Sequence, residues 1–148
     1  FRTGIFNELY PGFKRVASIL GDLVFTLTRR VFLSATHDVN PDVPSWSYLS
    51  SYNYGTPIMG TFHASDILQT FYGQFPNNAM RTSRTYYLNF LYNLDPNKGK
   101  TGYANWPRWS DSHDLMWFET GNKNSILADN FRDKTYQWVS SHVSALNI

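Results

Sequence analysis

The chain has 148 residues, of which 42% are apolar and 16% charged; that is enough for a core of ordinary size and excludes a disordered chain. The net charge is +2 and no run of like charges occurs, so the basic stripe of a nucleic-acid binder is missing, and no apolar run approaches the roughly 18 residues of a membrane span. There is no cysteine, which removes disulfide, zinc-thiolate and thiol-nucleophile chemistry.

The opening Phe1-Arg2-Thr3, without Met or an apolar leader, reads as the start of a cleaved or trimmed product. Residues 1–12 are mixed, and Tyr10-Pro11-Gly12 marks a turn. From Phe13 the spacing turns helical: Phe13, Val16, Ala17, Leu20, Val24, Leu27 and Val31 keep to one stripe. Gly21-Asp22 predicts a break, giving two consecutive helices. Lys14-Arg15 and Arg29-Arg30 are read as solvated helix faces. Residues 34–44 are expected to be loop, because Pro41 and Pro44 forbid regular structure there.

Ser45 to Tyr52 is short and rich in aromatics, a candidate strand. Residues 53–57 turn, and Ile58 to Phe62 is expected to be extended, running into His63. Ser65 is placed as a helix cap and Asp66 beside the helix dipole, with the helix ending near Gly73. Pro76-Asn77-Asn78 opens a long helix on Met80, Ser83, Arg84, Tyr87, Phe90, Leu91 and Leu94, stopped by Asp95-Pro96. Trp106 to Trp109 and Leu115 to Phe118 are read as a hairpin. A last helix runs over residues 129–143 on Phe131, Thr135, Trp138 and His142. The order predicts a single strand where a parallel sheet closes, the last third of a larger α/β protein.

No nucleophile elbow, phosphate loop, dinucleotide fingerprint or zinc helix occurs. Asp38-Val39-Asn40-Pro41-Asp42 opens like a calcium loop, but Val43 stands where the sharp turn needs Gly, so no metal site is assigned. His37 and His113 are placed at the surface, in a loop and at a hairpin tip, and His142 on the last helix. His63 differs, lying among the small residues of Gly60-Thr61-Phe62-His63-Ala64-Ser65, where its imidazole has room to face a partner. Imidazole suits general acid–base work near neutral pH. A loop histidine with no chemical role fits the same spacing.

Several blocks in series resemble the fungal type-B carboxylesterase/lipase family, the Candida rugosa lipase-like branch of the cholinesterase/lipase superfamily. They are Phe13 to Leu23 with Phe25-Thr26-Leu27, Gly55 to His63, Asp95-Pro96-Asn97, Trp106-Pro107, and Asp129-Asn130-Phe131-Arg132. The resemblance covers nearly the whole chain.

It implies the C-terminal portion of an α/β-hydrolase, with residues 1–148 forming part of one domain that is incomplete without an N-terminal chain of the same precursor. It implies a secreted carboxylic ester hydrolase of lipase or sterol-esterase type with a Ser-Glu-His triad and no cofactor. His63 is its histidine and Asp66 supports the histidine loop. Serine and glutamate lie upstream, so this chain is inactive alone. Leu20, Leu23, Val24, Phe25 and Phe62 are implied as acyl-tunnel wall, although core packing explains them equally well. Val24 is bulkier than the family pattern, which puts chain-length preference in doubt. Lipid or ester is the implied substrate, with transient contact at a lipid interface. A non-catalytic cholinesterase-like adhesion protein is the alternative, and a carbohydrate-binding module is the reading the aromatic content alone invites.

Overall fold

A computed structural model describes residues 8–53, 56–74, 76–99 and 102–146. Residues 1–7, and Tyr54 and Gly55 of the expected turn, lie outside the described residues. The chain divides into two compact units, Phe1–Ser45 with Asn130–Ile148, and Trp46–Asp129.

In the first unit Gly12 takes a left-handed conformation (φ 88°) that lets Phe13 N–H close onto Tyr10 O at 3.0 Å. Helix α1 (Phe13–Gly21) follows, then a π-helical turn over Asp22–Thr26, then α2 (Leu27–Val39). The expected break at Gly21-Asp22 is therefore not a new cap: the helix runs through, with Leu27 N–H bonded five residues back to Asp22 O. One extra residue is accommodated in the turn, as in a π-bulge. Helix α2 also extends through residues 34–39, which the sequence marked as loop. Thr36 Oγ1 bonds the carbonyls of Phe32 and Leu33, Ser34 Oγ meets Tyr136 Oη at 2.9 Å, and only Pro41 ends the helix, since Asn40 before it is pushed from helical geometry.

The last segment forms α6 (Asp133–Ser141) and α7 (Val143–Leu146), starting later than expected. Val139 is fully buried with Leu27 and Leu33. Arg30, read as solvated, is only 4% exposed. Its guanidinium lies 5.0 Å from the Phe131 ring and 4.9 Å from the Tyr136 ring, and donates to Phe131 O at 3.0 Å and Asp133 Oδ1 at 3.4 Å. A planar cation can be buried this way because the rings take its faces while its edge meets oxygen. Arg132 pairs with Asp22. Of the predicted α1–α2 stripe only Leu27 is buried; Val16, Leu20 and Val24 stay exposed.

In the second unit the described residues form one three-stranded sheet in the order β1 (Tyr48–Ser50), β2 (Asp114–Phe118), β3 (Ser125–Ala128). Strand β1 pairs parallel to β2, with Tyr48 opposite Met116; β3 pairs antiparallel to β2, with Asp114 opposite Ala128. The hairpin is thus Asp114 to Ala128, not Trp106 to Phe118. Trp106 cannot serve as its strand: Asn97 brackets its backbone, accepting its N–H at 2.7 Å and donating to its carbonyl at 2.9 Å. Trp109–Ser112 is a short helix, α5. His113 caps it in left-handed geometry, so it precedes β2 and does not sit at a hairpin tip.

Helices α3 (Ser65–Thr70) and α4 (Asn78–Asn93) pack together. Asn77 caps α4 by accepting Met80 N–H at 2.8 Å. The face α4 buries is Ala79, Met80, Thr82, Ser83, Tyr86 and Asn89, whereas the predicted Phe90, Leu91 and Leu94 are exposed. The core joins Tyr52, Ala79, Tyr86, Trp106, Met116 and Phe118. Its rings meet edge to face, as Trp106 and Phe118 do at 5.7 Å. The buried Trp106 indole donates to Ser47 O at 2.9 Å.

Candidate active site

The stretch from Ile58 to Phe62 is a sequence of turns, not the expected extended run. Ile58 (φ 65°) and Gly60 (φ 56°) are left-handed, and Gly60 N–H returns to Thr56 O at 3.2 Å. Next comes a second tight turn: Ser65 N–H donates to Phe62 O at 3.1 Å and Ile67 N–H to Ala64 O at 3.1 Å. Ala64 is left-handed (φ 66°) and is itself the N-cap of α3. Ser65 therefore is the first helical residue and not the cap. Its hydroxyl turns inward, 3.0 Å from Tyr52 Oη.

His63 sits on this turn and is exposed. The residues around it are tied to β1 and to the segment that continues it. Asn53 N–H donates to Thr61 Oγ1 at 3.1 Å, Tyr52 meets Ser65, and Tyr48 Oη donates to Asp66 Oδ2 at 3.4 Å. Tyr87 on α4 donates in turn to Tyr48 Oη at 3.3 Å. These tyrosines were not singled out as site residues. The signal was present, because a strand of period two puts Tyr48, Ser50 and Tyr52 on one face, and all three line a narrow cleft with Asp66, Gln69 and Tyr87. Burial raises the hydroxyl pKa of Tyr48, Tyr52 and Tyr87 above its usual value, so each stays a donor. Gln69 is buried, and its Nε2 has no hydrogen-bond partner among the described residues.

Phe62, His63 and Asp66 thus share one loop–helix junction. Phe62 is exposed beside the histidine. Leu20, at the end of α1, and Leu23, Val24 and Phe25, in the π turn, form one contiguous segment of the other unit. Leu20, Val24 and Phe25 are exposed and Leu23 half-buried.

Of the other histidines, His113 and His142 have local ring partners, whereas the buried Nδ1 of His37 has no hydrogen-bond partner among the described residues. His37 lies at the end of α2, partly buried, and not in a surface loop. His113 meets Trp109 edge to face at 4.5 Å. His142 is exposed, just past α6, and stacks on Trp138 at 4.6 Å. Among the described residues no group of His, Asp and Glu could hold a metal ion, and no helix is long and apolar enough to cross a membrane.

No protein-family model matches the chain. It is 66% identical to the secreted triacylglycerol lipase LIP1 of Gibberella zeae, over 99% of this chain and 25% of that protein. It is 52% identical to secreted lipase 1 of Botryotinia fuckeliana, over 100% and 26%, and 34% identical to lipase 2 of Diutina rugosa, over 96% and 25%. The chain spans about a quarter of the length of these relatives. Among solved structures it resembles the crystal structure of Aspergillus niger EstA, with TM-score 0.67 and 17% identity over 88% of this chain and 28% of that one, a likeness of fold alone. A chain matching these proteins over nearly all its length, with helices around a small mixed sheet, belongs to the fungal lipase family and has the fold of a C-terminal portion of an α/β-hydrolase.

Proposed function

We propose that this chain is the histidine-bearing part of a secreted carboxylic ester hydrolase that acts on acylglycerols or sterol esters, with the triad's serine and glutamate on an N-terminal chain of the same precursor. The observation that carries the reading is the setting of His63: an exposed imidazole on a turn whose flanking residues are bonded to β1 and its continuation, Asp66 to Tyr48 in the strand and Ser65 and Thr61 to Tyr52 and Asn53 just after it. A base that must meet a nucleophile from another part of the protein needs a rigid carrier and an open face. The secreted lipases it resembles support the substrate class and the location.

In this reading His63 takes the serine proton as the hydroxyl oxygen bonds to the ester carbonyl carbon. It then gives that proton to the departing alcohol, and water releases the acyl group by the same route. Asp66 supports the histidine turn. Leu20, Leu23, Val24, Phe25 and Phe62 supply apolar wall for the acyl chain, worth roughly 0.8 kcal/mol per buried methylene. The exposed apolar stripe of α1 and the π turn also favours an N-terminal partner, since an uncovered stripe of this kind marks a docking face. Transient contact with a lipid interface needs no membrane span.

Two experiments test this. Native mass spectrometry followed by a denaturing spectrum should show a larger chain travelling with the 17.2 kDa one, or a single polypeptide containing it. In that assembly His63→Gln should lower kcat for a p-nitrophenyl ester by about a thousandfold or more with KM little changed. A 17.2 kDa chain that folds and travels alone, or a His63→Gln assembly of undiminished rate, overturns the reading. The non-catalytic adhesion alternative predicts instead that an organophosphate labels nothing in the assembly.

A further inference from the structure

Within residues 60–64 the Thr61 hydroxyl accepts Asn53 N–H at 3.1 Å, a part-buried bond at the leading end of the turn, and at the other end Ala64 sits in a left-handed conformation that L-residues leave readily. Two contacts directly after it are of a different kind. Tyr52 and Ser65 are buried at 7% and 3% exposure, and their hydroxyls are 3.0 Å apart. In a site closed to water such a bond cannot be exchanged for one to solvent, so it fixes geometry. Tyr48 donates to the Asp66 carboxylate and is itself oriented by the hydroxyl of Tyr87, at 3.4 Å and 3.3 Å. Both are longer than the roughly 2.7 Å of a relaxed hydroxyl bond, which makes this arm the weaker.

We propose that the hydroxyls of Tyr52 and Tyr48 are positioning groups for His63, pinning Ser65 and Asp66 and so fixing the turn that carries the imidazole. The inference rests on the reading of His63 as the general base. The chain of cause is backbone-mediated. Ser65 N–H closes the turn onto Phe62 O, and Ile67 N–H holds Ala64 O. A Ser65 released from Tyr52 loosens both ends of the turn around His63. A displacement of an ångström between base and nucleophile is enough to cost as much as a hundredfold in rate.

The test uses the full assembly carrying Tyr52→Phe, Ser65→Ala, the double variant and Tyr48→Phe, with His63→Gln alongside. Tyr52→Phe should lower kcat about tenfold with KM within twofold. Ser65→Ala should match it, and the double variant should lose no more than either alone, the signature of one shared contact. Tyr48→Phe should cost less. The acidic limb of the kcat/KM pH profile should move in Tyr52→Phe, and amide exchange over residues 62–66 should quicken; a merely structural loss moves neither limb nor local exchange. Tyr52→Phe and Ser65→Ala at wild-type kcat, or a loss that only follows the folded fraction in urea, overturns the proposal while an inactive His63→Gln leaves the functional reading standing. An active His63→Gln removes the functional reading and this proposal with it.

Discussion

Trp109 donates its indole N–H to Asp129 Oδ2 at 2.8 Å, and both side chains are buried. The bond joins α5 to the end of β3, where Asp129 N–H also reaches His113 O at 2.8 Å. Asp129→Ala leaves a buried donor without an acceptor and should lower unfolding free energy by about 2–4 kcal/mol. Asp129→Asn, which keeps an acceptor, should cost about 1 kcal/mol. Urea unfolding of the assembly measures both; equal losses would mean that the carboxylate's bond to the indole is not what matters.

Gly99 is left-handed at φ 120°, and a Cβ there would stand 2.5 Å from Asn89 Oδ1. Asn89 is buried and donates to Pro96 O at 3.0 Å, tying the α4 terminus to the loop that follows. Gly99→Ala therefore combines backbone strain with the break-up of that tie, and about 3 kcal/mol is the expected loss. Gly102→Ala, equally left-handed at φ 110° but in open space, should cost about half as much. Thermal melts of the pair separate strain from collision.

Ile58 is a β-branched residue at φ 65°, where its side chain crowds its own backbone. Ile58→Gly should raise stability by about 1 kcal/mol, since the residue is not part of the buried core. Ala64→Gly should gain less, because an alanine suffers less there. A melting temperature that falls in Ile58→Gly would mean that the isoleucine side chain is itself holding the turn.

Tyr86 is pushed up to about 12 from its usual value of 10.0 by burial, partly offset by a hydrogen bond with Asn124, and Tyr48, Tyr52 and Tyr87 are raised too, chiefly by burial. Unfolded tyrosine loses its proton near pH 10, while folded Tyr86 keeps it to about 12. The stabilisation is whole below pH 10 and falls by about 1.4 kcal/mol per pH unit between 10 and 12 for this one group. Absorbance at 295 nm should show these four tyrosines ionising together with unfolding. Smooth ionisation of all ten tyrosines with the fold intact contradicts it.

Much of the helical part was legible because a helix writes its faces in local spacing. The start of a long helix at Pro76-Asn77-Asn78, Pro96 as its stop and the disturbance at Gly21-Asp22 all came from neighbours in sequence. The failures are tertiary. The α4 stripe of Met80, Ser83, Arg84, Tyr87, Phe90, Leu91 and Leu94 holds at Met80 and Ser83, but Phe90, Leu91 and Leu94 are exposed and the helix buries Thr82 and Asn89 as well. Their polar groups are satisfied in place: Thr82 and Ser83 bond back to the helix and Asn89 reaches Pro96. Burial of polar side chains that find such partners cannot be read from hydrophobicity. Pairing of Tyr48 with Met116 spans most of the second unit, and no local pattern announces a parallel partner. At the candidate site, the sequence singles out His63 and Asp66 by residue type, spacing and family resemblance, and they remain proposals. The hydrogen bonds of the Tyr48, Tyr52 and Tyr87 hydroxyls beside it cannot be read locally, because their partners are brought together only by the fold.

The π turn at Asp22–Thr26 has a consequence for how this chain can change. Five residues wound at the wider π pitch sweep about the angle that four sweep in an α-helix, so the extra residue is taken up inside its own turn. Removing one residue there should leave an unbroken α-helix in which Leu20 and Leu27 keep their directions. The same deletion inside α2 would turn everything before it by about 100° relative to everything after, parting Leu27 from Leu33, both of which are buried. The π turn is thus slack held in one place, where the chain can shorten by a residue without changing which faces its two helices present.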